Sequence, residues 1–402
     1  MRTRWFFVAF ALAIAGCSGS PSQTVFANNA PTMIRARASS PIQHVIVMVQ
    51  GHRGFNNLFA GFPGAETSKA GGTHTGKKVR LTPMPESEHA STAPLLNGFE
   101  IAYDNGKMDG FDLVYPKDPL FPYHFVEHSE ISAYWSLAKQ FALADHMFST
   151  SISNSGFVAQ LYLLAARSEV KNGVYVADHP SGTQWGCNAP PGTTTPVYTP
   201  HGIRRHGPFP CFSWYALAQL LDNAGVSWRY YLPSDELALN AVGAIAYIQN
   251  SRDWQNVTTP QTAILNDIQN GNLPDVTWVY PDQRNSDDPG TGSGSKWVST
   301  VVGALRKSRY WQSSAVIVVW ESSDFFYDEV PPPRLAPVEL GFRVPMLIVS
   351  PFAKKGYVSH TQYEFGSILK FIESQYALPS LGQTDARANS IGDVFTFPER
   401  RR

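Results

Sequence analysis

Short, unbroken apolar runs are the feature that most restricts how this chain can fold. The clearest of them are HVIVMV (44–49), WRYYL (228–232), VTWVY (276–280), AVIVVW (315–320) and MLIVS (346–350). Runs of this length without polar alternation are typical of strands that are buried on both faces of a parallel sheet. Helical patterns separate or follow them at 157–166, 214–224, 260–270, 297–308 and 365–376. The alternation predicts an α/β fold with a mostly parallel central sheet sandwiched between helices.

The composition agrees with one large domain that carries long loops. Of the 402 residues, 43% are apolar and 16% are charged, which is enough apolar material for a sizeable core. Lys plus Arg and Asp plus Glu number 32 each, so the basic excess expected of a nucleic-acid-binding protein is missing from the sequence. Stretches rich in Gly, Pro and Thr at 61–86, 180–213 and 282–296 predict loop excursions from a single domain, residues 42–402.

The first 17 residues have the pattern of an export signal. Arg2 and Arg4 precede an apolar run at 5–14, which is too short to span a bilayer as a mature helix. The following Ile-Ala-Gly-Cys resembles the bacterial lipobox, and this resemblance implies that Cys17 is the lipidated first residue of the mature protein. An ordinary signal peptide with an incidental cysteine is the alternative. Residues 18–41 have the composition of a flexible tether. We therefore expect an exported protein of the cell envelope, anchored to the membrane as a lipoprotein.

Two cysteines remain in the mature chain, Cys187 and Cys211, both in loop-like sequence. An exported chain matures in an oxidising compartment, so the pattern predicts a disulfide between them. Two free buried thiols are the alternative.

Several segments match a known family in order along the chain. They are MDGFDLVYP (108–116), YWSLAKQFALADHMF (134–148), WGCNAP (185–190), PCFSW (210–214), GVSWRYYLP (225–233) and GFRVPMLIVSPFAKKGYVSHTQYEFGSILKFIE (341–373). Together they resemble the bacterial phosphoesterase family, which contains phospholipases C and acid phosphatases of the alkaline-phosphatase-like superfamily. The resemblance covers nearly everything after residue 42. It implies that superfamily's fold, hydrolysis of phosphate esters and a divalent metal at the carboxyl ends of the strands.

The first catalytic motif of the family is altered in this chain. In the family, an apolar strand is followed by Glu-Asn-Arg-Ser-Phe-Asp, and the Glu and Asn hold the metal. Residues 51–56 are instead Gly-His-Arg-Gly-Phe-Asn. Gly51 supplies no ligand. His52 can serve as a metal ligand through its imidazole or as a hydrogen-bonding residue at the rim of the site, and Asn56 is expected in the ligand cleft.

The nucleophile segment of the family is altered as well. The run SNSGFVAQLYLLAARS (153–168) corresponds to the family's Gly-Pro-Ser-Phe-Pro-Ala-His before a Tyr-Leu helix. This alignment places Gly156 at the nucleophile and Gln160 at the histidine. Ser155 is a candidate nucleophile if the turn is shifted by one residue, and a helix N-cap is the alternative.

Two later motifs complete the candidate site. The family's Ser-Asp-His-Pro is here Ser-Asp-Asp-Pro (286–289), which puts Asp288 in place of an imidazole. After the strand at 315–320, the resemblance gives Glu321 as a retained carboxylate, Ser322 in place of a second one, and Glu329 in place of a histidine. The metal candidates are therefore His52, Glu321 and Asp328. The residues expected to line the ligand cleft are Asn56, Gln160, Asp288, Ser322 and Glu329.

These replacements leave two functional interpretations open. In the first, the protein is a non-catalytic or strongly impaired homologue whose cleft binds a phosphate ester or lipid head group, with metal weakly bound or absent. In the second, it is an active metal-dependent phosphatase or phospholipase C, a hydrolase acting on ester bonds, with a rearranged site. The components of such a site act as a unit, so their joint replacement favours the first interpretation.

Two smaller patterns offer further sites. His124 and His128 would share one face of a helix and could bind a metal together, although PYHFVEHSE lacks a helical pattern. Arg204, Arg205 and His206 form a cationic spot in a predicted loop, which is either solvated or able to bind an anion.

Overall fold

The computed structural model of the protein describes residues 40–94, 97–234 and 239–397. The predicted signal segment with Cys17, and the tether up to residue 39, lie outside these ranges. Within them, no helix has both the length and the apolar character needed to cross a membrane.

The strands of the described residues range from two to seven residues in length. They are β1 (His44–Gln50), β2 (Ala70–Gly72), β3 (Lys78–Arg80), β4 (Thr82–Met84), β5 (His124–Val126), β6 (Ala142–Ala144), β7 (Glu169–Lys171), β8 (Val174–Val176), β9 (Val197–Thr199), β10 (Gly202–Arg204), β11 (Trp228–Tyr231), β12 (Val257–Thr258), β13 (Val276–Val279), β14 (Ser314–Trp320), β15 (Met346–Val349) and β16 (Tyr357–Ser359).

Each of the predicted helical patterns forms a helix, with ends that differ from the prediction by no more than three residues. The α-helices are α1 (Phe55–Phe59), α2 (Gly98–Tyr103), α3 (Ser132–Gln140), α4 (Gly156–Ala165), α5 (Leu217–Asn223), α6 (Ala246–Gln249), α7 (Ala263–Asn270), α8 (Gly294–Arg306), α9 (Phe365–Tyr376) and α10 (Thr384–Arg387).

Within the described ranges, eight of the strands form one central sheet in the order β12-β11-β13-β1-β14-β15-β6-β16. All of them run in one direction except β15, which is antiparallel to both of its neighbours. The prediction of a mostly parallel sheet is therefore confirmed. The segment 321–345, which the structure describes in full, contains no helix to carry the chain back across the sheet, so β15 returns antiparallel to β14.

The sheet is buried on both faces. The side chains of Val45 to Met48 in β1 have no exposed surface, and every residue of β14 is buried. Successive side chains of a strand point to opposite faces, so this continuous burial requires cover on both sides. Two groups of contacting helices provide the cover: α3 and α7 contact α8, while α5 and α9 contact α4.

Parallel strands bring the residues that follow them to one edge of the sheet. His52 follows β1, Asp288 lies in the loop after β13, and Glu321 follows β14 directly. Because β13, β1 and β14 are neighbours, these three side chains meet at the carboxyl edge. Asp145 follows β6 and His360 follows β16 at the same edge, on the far side of β15.

The excursion at 180–213 is closed by the predicted disulfide, and this prediction is confirmed: Cys187 and Cys211 are bonded. The excursion contains β9 and β10, which form a small antiparallel sheet of order β10-β9-β8-β7 with the preceding strands. The bond closes a loop with a sequence separation of 24 residues. For a loop of this length the chain-entropy treatment gives a stabilisation of about 3.5 kcal/mol. The disulfide therefore restrains the segment that carries Arg204, Arg205 and His206.

Candidate functional site

A cavity of about 550 Å³ opens where the carboxyl ends of β1 and β14 meet the start of α4. It brings together five of the nine catalytic, metal and cleft residues expected from the sequence. Those that line it are His52, Ser155, Gln160, Asp288 and Glu321.

His52 is held by Asp288 on one side of its ring. The backbone N–H of His52 donates to Asp288 Oδ1 at 2.8 Å, and its Nδ1 lies 2.5 Å from the same oxygen. The other ring nitrogen, Nε2, is buried and has no hydrogen-bond partner among the described residues. The pair therefore fixes the orientation of the imidazole and leaves Nε2 free for a ligand in the cavity.

The charges around His52 keep its ring protonated. Burial on its own would lower the pKa of His52, but the carboxylates of Asp288 and Glu321 outweigh it and raise this pKa to about 10. In the same way, burial would raise the pKa of Asp288, but the attraction and hydrogen bonds of His52 hold it below its usual range. At neutral pH the cavity thus contains a fixed imidazolium ion beside an ionised carboxylate.

Glu321 is fixed by Gln160, the residue that the resemblance aligns with the family's histidine. Gln160 Nε2 donates to Glu321 Oε1 at 3.0 Å, while Gln160 Oε1 accepts the backbone N–H of Ala241 at 3.0 Å. Burial raises the pKa of Glu321 to about 7, although His52 and Gln160 both act to lower it. Glu321 therefore changes its charge close to neutral pH.

Ser155 precedes the first residue of α4, but its side chain makes no capping hydrogen bond. Ser155 thus occupies the N-cap position, but its hydroxyl does not cap the helix. Its Oγ is buried and has no partner among the described residues, and it lines the same cavity as His52. As a nucleophile it would need a neutral base, whereas the raised pKa of His52 keeps that imidazole protonated at neutral pH.

The packing favours glycine at residues 51 and 156, the two positions that the resemblance aligns with a metal ligand and with the nucleophile. A Cβ atom at Gly51 would collide with the carboxylate of Asp288, and one at Gly156 would collide with Oε2 of Glu321. Each carboxylate is the end of a side chain, but it can move away only by giving up its hydrogen bond to His52 or to Gln160. Asp288 and Glu321 thus fill the space where the resemblance places a metal ligand and a nucleophile.

The remaining predicted residues do not line this cavity. Asp328 is buried and pairs with the fully buried guanidinium of Arg343, whose Nε lies 2.9 Å from Asp328 Oδ1. Glu329 accepts hydrogen bonds from Asn56 and from Arg343. The structure therefore does not bring Asp328 together with His52 and Glu321, and it places Asn56 and Glu329 with Arg343. Arg343 was not among the site residues predicted from the sequence.

Ser322 contributes to the wall of the cavity through Asn154. Its hydroxyl donates to Asn154 Oδ1 at 2.5 Å, and Asn154 Nδ2 donates to Asp324 Oδ1 at 2.9 Å. Asn154 lines the cavity, whereas Ser322 lies behind it. Ser322 thus supports a lining residue rather than facing the ligand space.

The donors of the cavity do not fit a divalent metal. Among the described residues of the cavity, no three His, Cys, Asp or Glu side chains bring their ligand atoms within 4.8 Å of one another. Across the described ranges, one group of three such residues has its ligand atoms within 4.8 Å of one another. It consists of Asp145, His146 and His360 and lies on the far side of β15. We therefore assign no chemistry in this cavity to a metal.

The two smaller patterns have different outcomes. His124 lies in β5 rather than in a helix, and its Nδ1 is 3.0 Å from the carbonyl of Phe121. The ring of His128 packs on Trp135, with 4.0 Å between the ring centroids. The two imidazoles therefore do not share a helical face, in agreement with the missing helical pattern. Arg205, by contrast, lines the cavity.

Comparison with known proteins identifies the family. A model of the phosphoesterase family matches residues 42–379. This chain belongs to the phosphoesterase family. The non-hemolytic phospholipase C of Pseudomonas aeruginosa is 21% identical over 447 residues, which cover 94% of this chain and 61% of that protein. Phospholipase C B of Mycobacterium tuberculosis is 25% identical over 311 residues, which cover 67% of this chain and 55% of that protein.

The chain spans less than two thirds of the length of these two relatives. Among solved structures, an alkaline phosphatase superfamily protein from Vibrio parahaemolyticus is 11% identical, with a TM-score of 0.39 and coverage of 89% of this chain and 73% of that one. The resemblance drawn from the motifs is thus confirmed at the level of the family.

The steric relation between Gly156 and Glu321 can be tested by a double-mutant cycle. Gly156→Ala should lower the free energy of unfolding by about 1–3 kcal/mol, the usual cost of overpacking a filled site. Adding Glu321→Ala should recover most of that loss, because it removes the colliding carboxylate. Urea denaturation of the two single variants and the double variant measures the coupling.

Gly303→Ala is the matched control, since a Cβ atom there meets nothing within 4 Å in the middle of α8. This change should stabilise the protein by about 0.5–1 kcal/mol. If Gly156→Ala also stabilises the protein, the space at residue 156 is not filled by Glu321.

Proposed function

We propose that the cavity binds the phosphate group of a phosphate ester, such as a lipid head group, and that metal-dependent hydrolysis is lost or strongly impaired. The observation that carries this proposal is the His52–Asp288 pair. It places a protonated imidazole in the cavity with one N–H donor unused. A fixed cation with a free donor is a suitable partner for a phosphate oxygen.

Other lining groups support an anionic ligand. Ser155 offers an unused hydroxyl, and Arg205 adds a guanidinium group at the cavity. Glu321 opposes an anion when it is ionised, but its pKa of about 7 means that it becomes neutral in mild acid. Binding of a phosphate diester, whose charge is constant above pH 4, should therefore be tighter at pH 6 than at pH 8.

The proposed loss of hydrolysis rests on the positions that the resemblance assigns to catalysis. Phosphate-ester cleavage in this superfamily needs a metal, a nucleophile and cationic contacts to the phosphate oxygens at once. Here the ligand and nucleophile positions are Gly51 and Gly156, and packing against Asp288 and Glu321 leaves no room for a side chain at either position. Of these three components, the cavity retains the cationic contact to the phosphate oxygens.

The proposed lipid ligand follows from the relatives and from the expected location. The curated relatives described above are named phospholipases C, so a lipid phosphate ester is a reasonable ligand for this cavity. We also propose that Cys17 anchors the domain at residues 42–402 to the membrane through the tether, where lipid head groups are within reach. Both proposals place the protein in the bacterial envelope.

The anchor is tested by membrane fractionation of the Cys17→Ser variant expressed in a bacterial host. The expected result is release of the protein from the membrane fraction, because a lipid can no longer be attached at residue 17. A variant that stays with the membranes, with a mature N-terminus beyond residue 17, would show that Cys17 is not the anchor.

One observation favours a second candidate function, hydrolysis through Ser155. Its hydroxyl and His52 Nε2 are both unpartnered and line one cavity, while Asp288 orients the imidazole. This arrangement contains a nucleophile, a base and an orienting carboxylate. It requires a neutral His52, however, and the raised pKa of this residue opposes that state below about pH 10.

Binding and turnover assays separate the two functions. By calorimetry, glycerophosphocholine and inorganic phosphate should bind to the native protein. His52→Gln should weaken the binding by about 10–100-fold, which corresponds to the loss of a hydrogen bond to a charged group. His128→Gln is the matched control, because that imidazole packs on Trp135 outside the cavity. Glu321→Gln should abolish the difference in glycerophosphocholine binding between pH 6 and pH 8.

Turnover of p-nitrophenyl phosphate and phosphatidylcholine should stay at background with Mg²⁺, Mn²⁺, Ca²⁺ or Zn²⁺. Turnover that disappears in Ser155→Ala would establish the second candidate function. Turnover that needs a metal and disappears in Glu321→Ala would establish the metal-dependent enzyme. Failure of both phosphate ligands to bind would refute the binding proposal.

A further inference from the structure

We propose that Asp145, His146 and His360 form a binding site for a divalent transition metal of the Zn²⁺ type. The site lies at the carboxyl edge of the sheet but is separate from the cavity at His52, because β15 runs between β14 and β6. It is independent of the proposed phosphate binding.

The sheet register brings these residues together. β6 and β16 are parallel neighbours, and Ala144 at the end of β6 pairs with Ser359 at the end of β16. Asp145 therefore follows β6 directly, and His360 follows β16 directly. The N–H of Asp145 donates to the carbonyl of Ser359 at 3.1 Å. His146 follows directly, so one backbone pairing supplies a carboxylate and two imidazoles.

The ligand atoms are already close to one another. Asp145 Oδ1 lies 2.8 Å from His146 Nδ1, and Asp145 Oδ2 lies 2.9 Å from His360 Nδ1. One ligand atom from each of the three residues lies within 4.8 Å of the other two. A set of two imidazoles and one carboxylate suits zinc and similar divalent metals. Glu66 Oε2 lies 3.3 Å from His146 Nε2, the ring nitrogen on the other side from Asp145, and so helps to orient this imidazole.

The carboxylate is held in place while the imidazoles remain accessible. The side chain of Asp145 has no exposed surface, and its Oδ2 accepts the backbone N–H of Glu66 at 2.8 Å. Arg343 also fixes Asp145, because it donates to the backbone carbonyl of this residue at 2.8 Å. The side chains of His146 and His360 are 20% and 59% exposed, so an ion can reach the site from solvent.

The surrounding charges favour a cation. Beside the site, the carboxylates of Asp328 and Glu329 pair with the single guanidinium group of Arg343, which donates to the backbone carbonyls of Glu66 and Asp145 and leaves the carboxylate of Asp145 to the two imidazoles. A bound divalent ion would offset the excess negative charge and would replace the protons that Asp145 now shares with the two imidazoles. The metal would also join the ends of β6 and β16.

The experiment uses tag-free protein after treatment with EDTA. Equilibrium dialysis against Zn²⁺ should show one ion bound per chain, and Zn²⁺ should raise the thermal denaturation temperature. His146→Ala and His360→Ala should each weaken binding at least tenfold and reduce that rise. His360 is well exposed, so its variant should fold and keep the test informative. Co²⁺ in place of Zn²⁺ should give visible absorption bands in the native protein that are lost in both variants.

The matched control is His74→Ala. His74 forms an exposed pair with Asp112 at 2.5 Å, with a single imidazole, and its loss should leave Zn²⁺ affinity unchanged. His52→Gln should also leave it unchanged, which separates this site from the cavity. Absence of stoichiometric Zn²⁺, or binding that survives in both His146→Ala and His360→Ala, would refute the site. An equal loss of affinity in His74→Ala would show only adventitious surface binding and would refute it as well.

Discussion

The ion pair between His52 and Asp288 is the interaction on which the composition of the cavity depends. The imidazolium ion at the end of β1 is partly shielded from water, and Asp288 supplies its carboxylate partner from the loop after β13. The partner in turn requires glycine at residue 51, because a side chain there would overlap the carboxylate. The replacements at these positions are therefore mutually dependent. A single reversion at residue 51 would place a side chain in space that is already filled.

The same edge of the sheet holds a second polar cluster, and Arg343 connects its parts. This buried guanidinium contacts Asp328 and Glu329 on one side and the backbone carbonyls of Glu66 and Asp145 on the other. Removing one partner from such a buried network is costly, because the remaining charge has lost its solvation. The cavity and the cluster are thus fixed by separate sets of contacts on opposite sides of β15. Because they are separate, the proposed binding of an anion in the cavity is compatible with the proposed binding of a cation in the cluster.

The sequence predicted the sheet well because its central strands are continuous apolar runs. It did not reveal β6 and β16, which are only three residues long and carry no distinctive periodicity. Nor did it reveal the cluster of Asp145, His146 and His360, because that cluster depends on the register between two short strands far apart in the chain. The sequence did contain a signal for it. An Asp-His pair follows one short apolar segment, and a histidine follows a second short segment. This pattern is typical of ligands at the ends of parallel strands.

The candidate site was only partly predictable for a similar reason. The resemblance named His52, Gln160, Asp288 and Glu321, and the structure brings these four side chains together at one cavity. It could not show that Asp328 is taken by Arg343, since that depends on side-chain packing rather than on spacing. It also could not show whether Ser155 caps its helix, because a serine before a helix has several available rotamers.

The protonation state of His52 is the most direct test of this account, and nitrogen-15 NMR of the imidazole ring measures it. In the native protein both ring nitrogens should remain protonated from pH 5 to pH 8.5, because the pKa is raised to about 10. Replacing Asp288 with Asn should lower this pKa, because it removes the opposing charge while burial remains. A native His52 that loses its proton near pH 6.5 would contradict the account, because the cavity would then contain a neutral base beside Ser155 instead of a fixed cation.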